Sequence, residues 1–425
     1  MTATVRIDPS VQVAGIVHTP GDKSISHRAL LLAALGDGTS TIEGLSRGED
    51  VGRTATIIQQ LGASLAEVGG TIEVSGGRER LGAASQALDC GNSGTTMRLV
   101  MGLTAGLPGT STLVGDSSLS RRPMDRVAIP LTQMGARVEG QGDKLTPPLL
   151  VHGGSLHGIR YELPVPSAQV KSAILLAGLF ADGATTVIEN VATRPNTEEM
   201  LLLAGADLHI TPEGSSSAIT IRPSALRPHA WRVPGDPSQA AFFIVAGLLA
   251  SKGAITVPGL YGDPTRTGFL TVLERMGGSI TRGEGDDLEV EAKSSNLRGT
   301  EIHSSEIPSV DEVPILAVAA AAASGTTRFI DVGELRIKES DRFSGSLVLA
   351  QRLGATAFAE GDDLIIEGLG SARSFAEVEL DAHGDHRMAM AAAIAGLVGG
   401  GATVSGFDSV ATSFPGFVDV LDSLR

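Results

Sequence analysis

From Ala29 to Leu35 the chain carries no polar side chain, and this run follows a charged head, Asp22, Lys23, Ser24, Ser26 and Arg28, in GDKSISHRALLLAAL. A helix that is apolar on every face is buried rather than laid on a surface. Its first backbone N–H groups lack intrahelical partners and carry partial positive charge. A head with Lys23 and Arg28 therefore predicts an anion site as well as a helix start. For one such stretch, a capped core helix with two solvated cations explains the pattern equally well. The pattern recurs, however, in Asn92–Asp116, Ser167–Asn190, Asp236–Leu260, Asp311–Leu335 and Asp385–Val410. Each is a polar head, an apolar helix, a Gly-containing stop and a strand rich in Thr, Val or Ile. The starts recur at roughly 70–75 residues, longer than the repeat of a solenoid, so these are copies of a subdomain.

Between the apolar helices lies a second repeated element with its apolar residues on one stripe: IIQQLGASL, LTQMGARV, MLLLAGADL, VLERMGGSI, LAQRLGATA and the terminal VDVLDSLR. These predict amphipathic helices, and the first five stop at a Gly that suits a helix C-cap. Alternating segments with a polar turn follow, SLAEVGGTIEVSG, DLHITPEGSSSAITI, SITRGEGDDLEVEA and TAFAEGDDLIIEG, and read as hairpins. The unit is then buried helix, strand, amphipathic helix, strand, strand, in mixed sheets with one wet face. Helices inside and sheets outside reverse the layering of an ordinary barrel. Three such units make one compact domain, which predicts two domains, 20–232 and a discontinuous one of 1–19 with 233–425. The N-terminal strand Val5–Val17 has no helix of its own. Pro20, Pro234 and Pro237 mark the two crossings, which act as a hinge around a closable interdomain cleft.

Composition narrows the function. A net charge of −15 argues against a nucleic-acid surface. It does not exclude an anionic substrate, because a cation about 4 Å from a phosphate gains roughly 4 kcal/mol at an effective dielectric of 20, whereas distant surface carboxylates are screened. Cys90 is the only cysteine, so neither a disulfide framework nor a thiolate metal cluster is expected, and it reads as a small core residue. Met1–Ser10 lacks the apolar core of a signal peptide, and no apolar run is long enough to span a membrane. A cytoplasmic protein is expected.

Candidate chemistry sits in the polar heads. Asn92, Ser93, Gly94 and Thr95 open the second copy, where Gly94 lets a ligand approach the backbone. Arg121 and Arg122 follow its strand. Ser167, Ala168 and Gln169 open the third copy, with Arg194 beyond its strand. Asp311 and Glu312 open the fifth, and LRIKESDR after it carries Arg336, Lys338, Glu339, Asp341 and Arg342. DAHGDHR opens the sixth with His383, Asp385, His386 and Arg387, a spacing that suits a metal poorly. Capping of buried helices and solvated charge account for any one head. Jointly, Lys23, Arg28, Arg122, Arg194, Lys338, Arg342 and Arg387 suit two anionic small substrates, and Asp311 and Glu339 suit proton transfer. The residues themselves lead to transfer between phosphorylated small molecules and no further.

GDKSISHRAL, GNSGTTMRL, RRPMDR, PSAQVKSA, DEVPILAVAAA, LRIKESDR, DHRMAM and ATSFP together resemble the 3-phosphoshikimate 1-carboxyvinyltransferase (5-enolpyruvylshikimate-3-phosphate synthase) family, from residue 21 to 415. The resemblance implies the two-domain inside-out α/β barrel of the enolpyruvyl transferases, each domain made of three repeated subdomains with buried helices and outer mixed sheets. It implies transfer of the enolpyruvyl group of phosphoenolpyruvate to the 5-hydroxyl of shikimate 3-phosphate through a tetrahedral ketal, without metal or other cofactor. A monomer acting on these two small molecules, with no nucleic-acid or membrane partner, is expected. On matched positions, Lys23 resembles the lysine that touches both substrates, and Ser24 and Arg28 the holders of the shikimate carboxylate. Ser167, Ala168 and Arg194 resemble the 3-phosphate site, and Gln169, Asp311 and Lys338 also border shikimate 3-phosphate. Lys23, Gly94, Arg122, Gln169, Arg342 and Arg387 resemble the phosphoenolpyruvate site. Asp311 resembles the base for the 5-hydroxyl, and Glu339 with Lys338 the groups that handle the methylene proton.

Ala168 replaces a second serine of one branch of that family, and Thr412 stands where that branch has a lysine before Phe-Pro. Arg194-x-x-Thr197 and Ala411-Thr-Ser-Phe-Pro415 instead resemble the other branch, in which glyphosate tolerance occurs, while Gly94 leaves room for a phosphonate. Competition between glyphosate and phosphoenolpyruvate is the expectation. The competing readings are a sister transferase acting on UDP-N-acetylglucosamine, whose mobile loop carries a cysteine that SSLSRRP lacks, and a non-catalytic repeat scaffold. RNA 3′-phosphate cyclisation on related repeats is disfavoured by the acidic balance.

Overall fold

A computed structural model of the chain describes residues 3–283 and 287–425. It divides into two compact units, Lys23–Val233 and a discontinuous one formed by Met1–Asp22 with Pro234–Arg425. The junctions fall after Asp22 and Val233, three residues and one residue beyond the positions read from the prolines. The continuous unit holds helices α1 (Lys23–Leu35), α2 (Glu49–Gln60), α3 (Gly94–Gly106), α4 (Asp125–Gln133), α5 (Ala168–Gly178) and α6 (Asn196–Leu203). The discontinuous unit holds α7 (Pro237–Leu249), α8 (Pro264–Arg275), α9 (Val313–Ala322), α10 (Arg342–Arg352), α11 (His386–Val398) and α12 (Phe417–Asp422). The odd-numbered helices are the apolar ones, and they are buried nearly from end to end. Several polar heads are their caps: Ser93, Ser167, Asp236 and Asp385 each accept a hydrogen bond from a backbone N–H of the first turn. The even-numbered helices start up to two turns before the stretch in which their apolar stripe is legible. Among the described residues no helix is long and apolar enough to cross a membrane.

The outer layer contains, among the described residues, five four-stranded sheets and one three-stranded sheet. The hairpins appear where alternation predicts them, for example Ser64–Val68 against Thr71–Gly76 and Thr356–Glu360 against Asp363–Leu369. The polar turn expected in SITRGEGDDLEVEA, at 284–286, lies outside the described residues. In five of these sheets the sequence pattern misses a short strand that precedes a buried helix and pairs in parallel with the strand that follows one. Leu88–Asp89 on Gly109–Val114, Arg160–Glu162 on Thr185–Glu189 and Glu301–His303 on Ser324–Ile330 are examples. At two to four residues each, they are too short to show a period.

The stretch expected as one N-terminal strand, Val5–Val17, is instead two. Thr4–Ile7 pairs antiparallel with Ala402–Ser405, whose other edge pairs in parallel with Val378–Asp381, and the three form the sixth sheet. Gly15–Ile16 pairs with Ala254–Tyr261, the strand that follows α7. Reciprocally, Ala230–Arg232, which precedes α7, pairs with Gly38–Glu43, the strand that follows α1. The two strands at the junctions are thus exchanged, and every sheet closes within its own unit.

Small residues let the buried helices approach closely. A Cβ on Gly102 of α3 would stand 2.3 Å from the carbonyl oxygen of Ala173 on α5. Backbone cannot yield as a side-chain tip does. Gly102→Ala is expected to cost about 1–3 kcal/mol by overpacking, read as a lower midpoint in urea; an unchanged midpoint would show that the two helices can separate without loss.

Candidate active site

In the continuous unit, the N-terminal ends of α1, α3 and α5 carry a linked polar surface. Arg28, buried in the second turn of α1, donates from Nε to the Thr197 hydroxyl at 2.6 Å and from Nη2 to Ser172 at 2.7 Å. Its Nη1 donates to the Ser24 carbonyl at 2.9 Å, and Arg194 donates to the Ser24 hydroxyl at 3.3 Å. Ser167 caps α5, placing Ala168 at its first residue. Gln169 donates to the Thr95 hydroxyl at 2.9 Å and accepts from Arg98 at 2.7 Å, tying α5 to α3. Arg122 is 9% exposed and donates to the Asn92 amide oxygen at 3.1 Å, whereas Arg121 is turned to solvent. A Cβ on Gly94 would lie 2.8 Å from Nη1 of Arg98 and 3.1 Å from Nη1 of Arg122. The missing side chain is what lets two guanidinium groups reach the start of α3.

The Lys23 ammonium lies 2.9 Å from the carboxylate of Asp50 on α2. Behind this pair, His27 shares a hydrogen bond of 2.7 Å with Thr54. Burial, together with Lys23 and Arg28, holds its pKa well below the ordinary histidine value, so the ring is neutral. Cations and hydroxyls dominate this surface, with Asp50 as the carboxylate at Lys23. It is equipped to hold anions.

In the discontinuous unit, Arg342 is the centre of the polar end. It is 1% exposed, and it meets Asp385 at 2.8 Å, Asp311 at 3.0 Å and Glu339 at 2.6 Å. Burial alone would depress the guanidinium, but Asp385, Glu339 and Asp311 outweigh it and hold Arg342 above its ordinary value. Burial likewise opposes ionisation of Asp385, yet Arg342 holds its carboxyl below the usual range. Arg387 donates to the Asp311 carbonyl at 3.1 Å and lies 3.8 Å from its carboxylate. Lys338 stands 3.9 Å from Asp311 and donates to the Ser309 carbonyl at 3.2 Å. Asp311, Lys338, Glu339, Arg342 and Arg387 are therefore gathered in one place. A carboxylate ringed by cations, with a second acid beside it, can accept and return protons next to bound negative charge.

The other charged residues of these heads do different work. Glu312 accepts from Ser238 and Ser309 rather than joining Asp311. Arg336 is not part of the cluster; it stacks on Phe343 at 3.8 Å. Asp341 caps α10, and His383 is exposed beside Asp381. The Thr412 hydroxyl donates to the Ser409 carbonyl.

Four contributors escape a reading of the heads. Asp50 sits on an amphipathic helix whose polar face looks solvated. Arg98 and Ser172 lie four residues after Gly94 and Ala168, one turn into helices that read as core. Thr197 belongs to the head of a surface helix. The available signal was spacing: a polar residue at i+4 from a functional head position shares its helix face.

The model of the EPSP synthase (3-phosphoshikimate 1-carboxyvinyltransferase) family matches residues 7–421. The chain belongs to this family. It is 45% identical over 433 residues to the 3-phosphoshikimate 1-carboxyvinyltransferase of Desulforudis audaxviator, covering 99% of both chains. With that of Gloeobacter violaceus it shares 44% over 430 residues, 99% of this chain and 98% of the other. Among solved structures, an EPSP synthase from Acinetobacter baumannii superposes with a TM-score of 0.86 at 38% identity, over 99% of this chain and 98% of that one. An enolpyruvyl transferase from Streptomyces tendae, at 19% identity and a TM-score of 0.80 over 100% and 98% of the two chains, shares the fold. The layering of buried helices under outer mixed sheets is the inside-out α/β fold of these enzymes. The sister transferase acting on a nucleotide sugar is not favoured, since the family model and these relatives carry the shikimate-specific name.

Proposed function

We propose that the two polar ends divide the labour of one enolpyruvyl transfer. As a member of the EPSP synthase family, the chain is a transferase of the shikimate route to aromatic amino acids. It moves the enolpyruvyl group of phosphoenolpyruvate to the 5-hydroxyl of shikimate 3-phosphate and releases phosphate. In this reading Lys23, Ser24, Arg28, Ser167, Ala168, Gln169 and Arg194 hold shikimate 3-phosphate, with Asp311 and Lys338 at its reacting side. Lys23, Gly94, Arg122, Gln169, Arg342 and Arg387 hold phosphoenolpyruvate. The same reading places the enzyme in the cytoplasm as a monomer.

The observation that carries the reading is the setting of Asp311, with Arg342, Arg387 and Lys338 around it and Glu339 alongside. In the first step a proton adds to the methylene carbon of phosphoenolpyruvate from the Lys338–Glu339 pair. The 5-hydroxyl oxygen bonds to the adjacent carbon and its proton passes to Asp311, leaving a tetrahedral ketal that still carries phosphate. In the second step the new methyl group returns a proton, the carbon–oxygen bond to phosphate breaks, and the enol ether forms. The cations offset charge as it builds on phosphate and carboxylate.

The test is phosphate release from phosphoenolpyruvate with and without shikimate 3-phosphate. Release is expected with the acceptor only; acceptor-independent release, or none, would reject the reading. Glyphosate at millimolar concentration is expected to inhibit in competition with phosphoenolpyruvate, and inhibition that phosphoenolpyruvate does not relieve would count against it. Gly94→Ala places a methyl group against Arg98 and Arg122, so the KM for phosphoenolpyruvate is expected to rise about tenfold while that for shikimate 3-phosphate stays within about twofold, the signature of a displaced binding group. Equal changes in both would remove Gly94 from the phosphoenolpyruvate site.

A further inference from the structure

Beneath the surface that carries Arg194 lies an ionic trio that the transfer chemistry does not use. Lys171, on α5, is 0% exposed. Its Nζ lies 2.9 Å from Glu189 and 2.5 Å from Glu198, both themselves buried. Glu189 ends the strand Thr185–Glu189, and Glu198 sits in the first turn of α6. Residues 190–195 between them form the loop that carries Arg194. Glu189 spends its other oxygen on the Thr193 hydroxyl at 2.5 Å. Next to Glu198, the Thr197 hydroxyl holds Arg28 at 2.6 Å and Ser172 at 2.6 Å. Pro195 follows Arg194 and biases its backbone toward an extended form.

A single ammonium thus clamps the chain just before the Arg194 loop and just after it. A glutamate in the first turn of a helix suits the helix dipole without further purpose, but that does not account for burial beside a lysine. Burying three ionised groups is a poor way to gain stability, since an apolar trio of like volume does as well or better. Burial pushes the Glu198 carboxyl up and Lys171 pulls against it, which shows the opposition directly. What such a trio supplies is fixed geometry.

We propose that Lys171 is a positioning residue for the acceptor's phosphate: through Glu189 and Glu198 it holds the 190–195 loop so that Arg194 stands beside Ser24 and Thr197 stands on Arg28. This rests on the reading of Arg194 as part of the 3-phosphate site. Lys171 touches no substrate; it sets where two substrate-facing arginines stand. Its loss should therefore be felt by the phosphorylated acceptor and not by the same acceptor without its phosphate.

The experiment measures dissociation constants of shikimate 3-phosphate and of unphosphorylated shikimate by titration, for the full chain and for Lys171→Met, Arg194→Met and Thr193→Val. Lys171→Met is expected to weaken shikimate 3-phosphate about tenfold or more, the scale of a misplaced binding group, with shikimate unchanged within about twofold. Thr193→Val is expected to act in the same direction by about threefold, as fits one lost hydrogen bond, and it carries the test if Lys171→Met does not fold. Equal weakening of both ligands would mean general loss of the surface and would overturn the proposal. If Arg194→Met weakens shikimate 3-phosphate while Lys171→Met and Thr193→Val leave it unchanged, the positioning role alone falls. If Arg194→Met has no effect, the phosphate reading falls and takes this inference with it.

Discussion

Replacing Asp311 by Asn lowers turnover at least about a hundredfold, the scale of a lost general base. The substitution keeps an oxygen that can accept from Arg342, now 3.0 Å away, but it cannot take a proton from the 5-hydroxyl. Arg342 also keeps its two bonds to Asp385, at 2.8 Å and 3.3 Å, so the buried guanidinium is not stranded. The fall should therefore appear in kcat, with the melting temperature and the KM for phosphoenolpyruvate close to the parent values. Asp311→Ala should lose as much turnover, and removal of the partner oxygen should add a loss of stability. Near-normal turnover in either variant would take Asp311 out of the base role. Phosphate release under saturating substrates is the measurement.

Lys23→Met is the second large effect, again at least about a hundredfold in turnover, as for removal of a preorganised charge from a developing anion. Here the site and its scaffold are coupled. Lys23 opens α1, and its ammonium lies 2.9 Å from the carboxylate of Asp50, which is 7% exposed. Methionine fills the space of the stem and leaves Asp50 facing an apolar chain, so a modest loss of stability accompanies the loss of rate. The double variant Lys23→Met, Asp50→Asn separates the two. Stability should return while turnover stays low; recovery of turnover would assign the defect to the uncompensated carboxylate rather than to the missing cation.

The fold was legible where burial imposes a long, one-signed pattern. Ala29–Leu35 or Pro314–Ala323 has no partner but a core, and repetition of that pattern was enough to count subdomains. It was not legible where an element is too short to carry a period. Gly15–Ile16 and Ala230–Arg232 pair in sheets started by strands far away in sequence, and nothing in a two- or three-residue segment says which edge it will join.

Charged heads pointed to Lys23, Arg28 and Arg387 because buried-helix starts are rare places for cations, and the dense charge of LRIKESDR pointed to Arg342. The same logic could not tell Glu312 from Asp311. Which of two adjacent acids faces Ser238 and which faces Arg342 is decided by the turn before α9, not by residue type. Nor could it find Lys171, whose charge sits inside a helix that reads as core and is answered by glutamates 18 and 27 residues on, in two other elements.

The exchanged junction strands have a consequence for taking the molecule apart. At the seam, the Asp22 amide donates to the Pro234 carbonyl at 2.7 Å, the Asp236 amide donates to that of Pro20 at 3.0 Å, and Gly21 bridges Gly235. The stretch from 23 to 233 is therefore an insertion whose two ends leave the host at one spot. Excising it and rejoining Asp22 to Pro234 through a short glycine turn severs no strand ladder on either side of the cut among the described residues. Each half could then be produced as its own polypeptide, and mixing the two would show how much of the activity depends on a continuous chain.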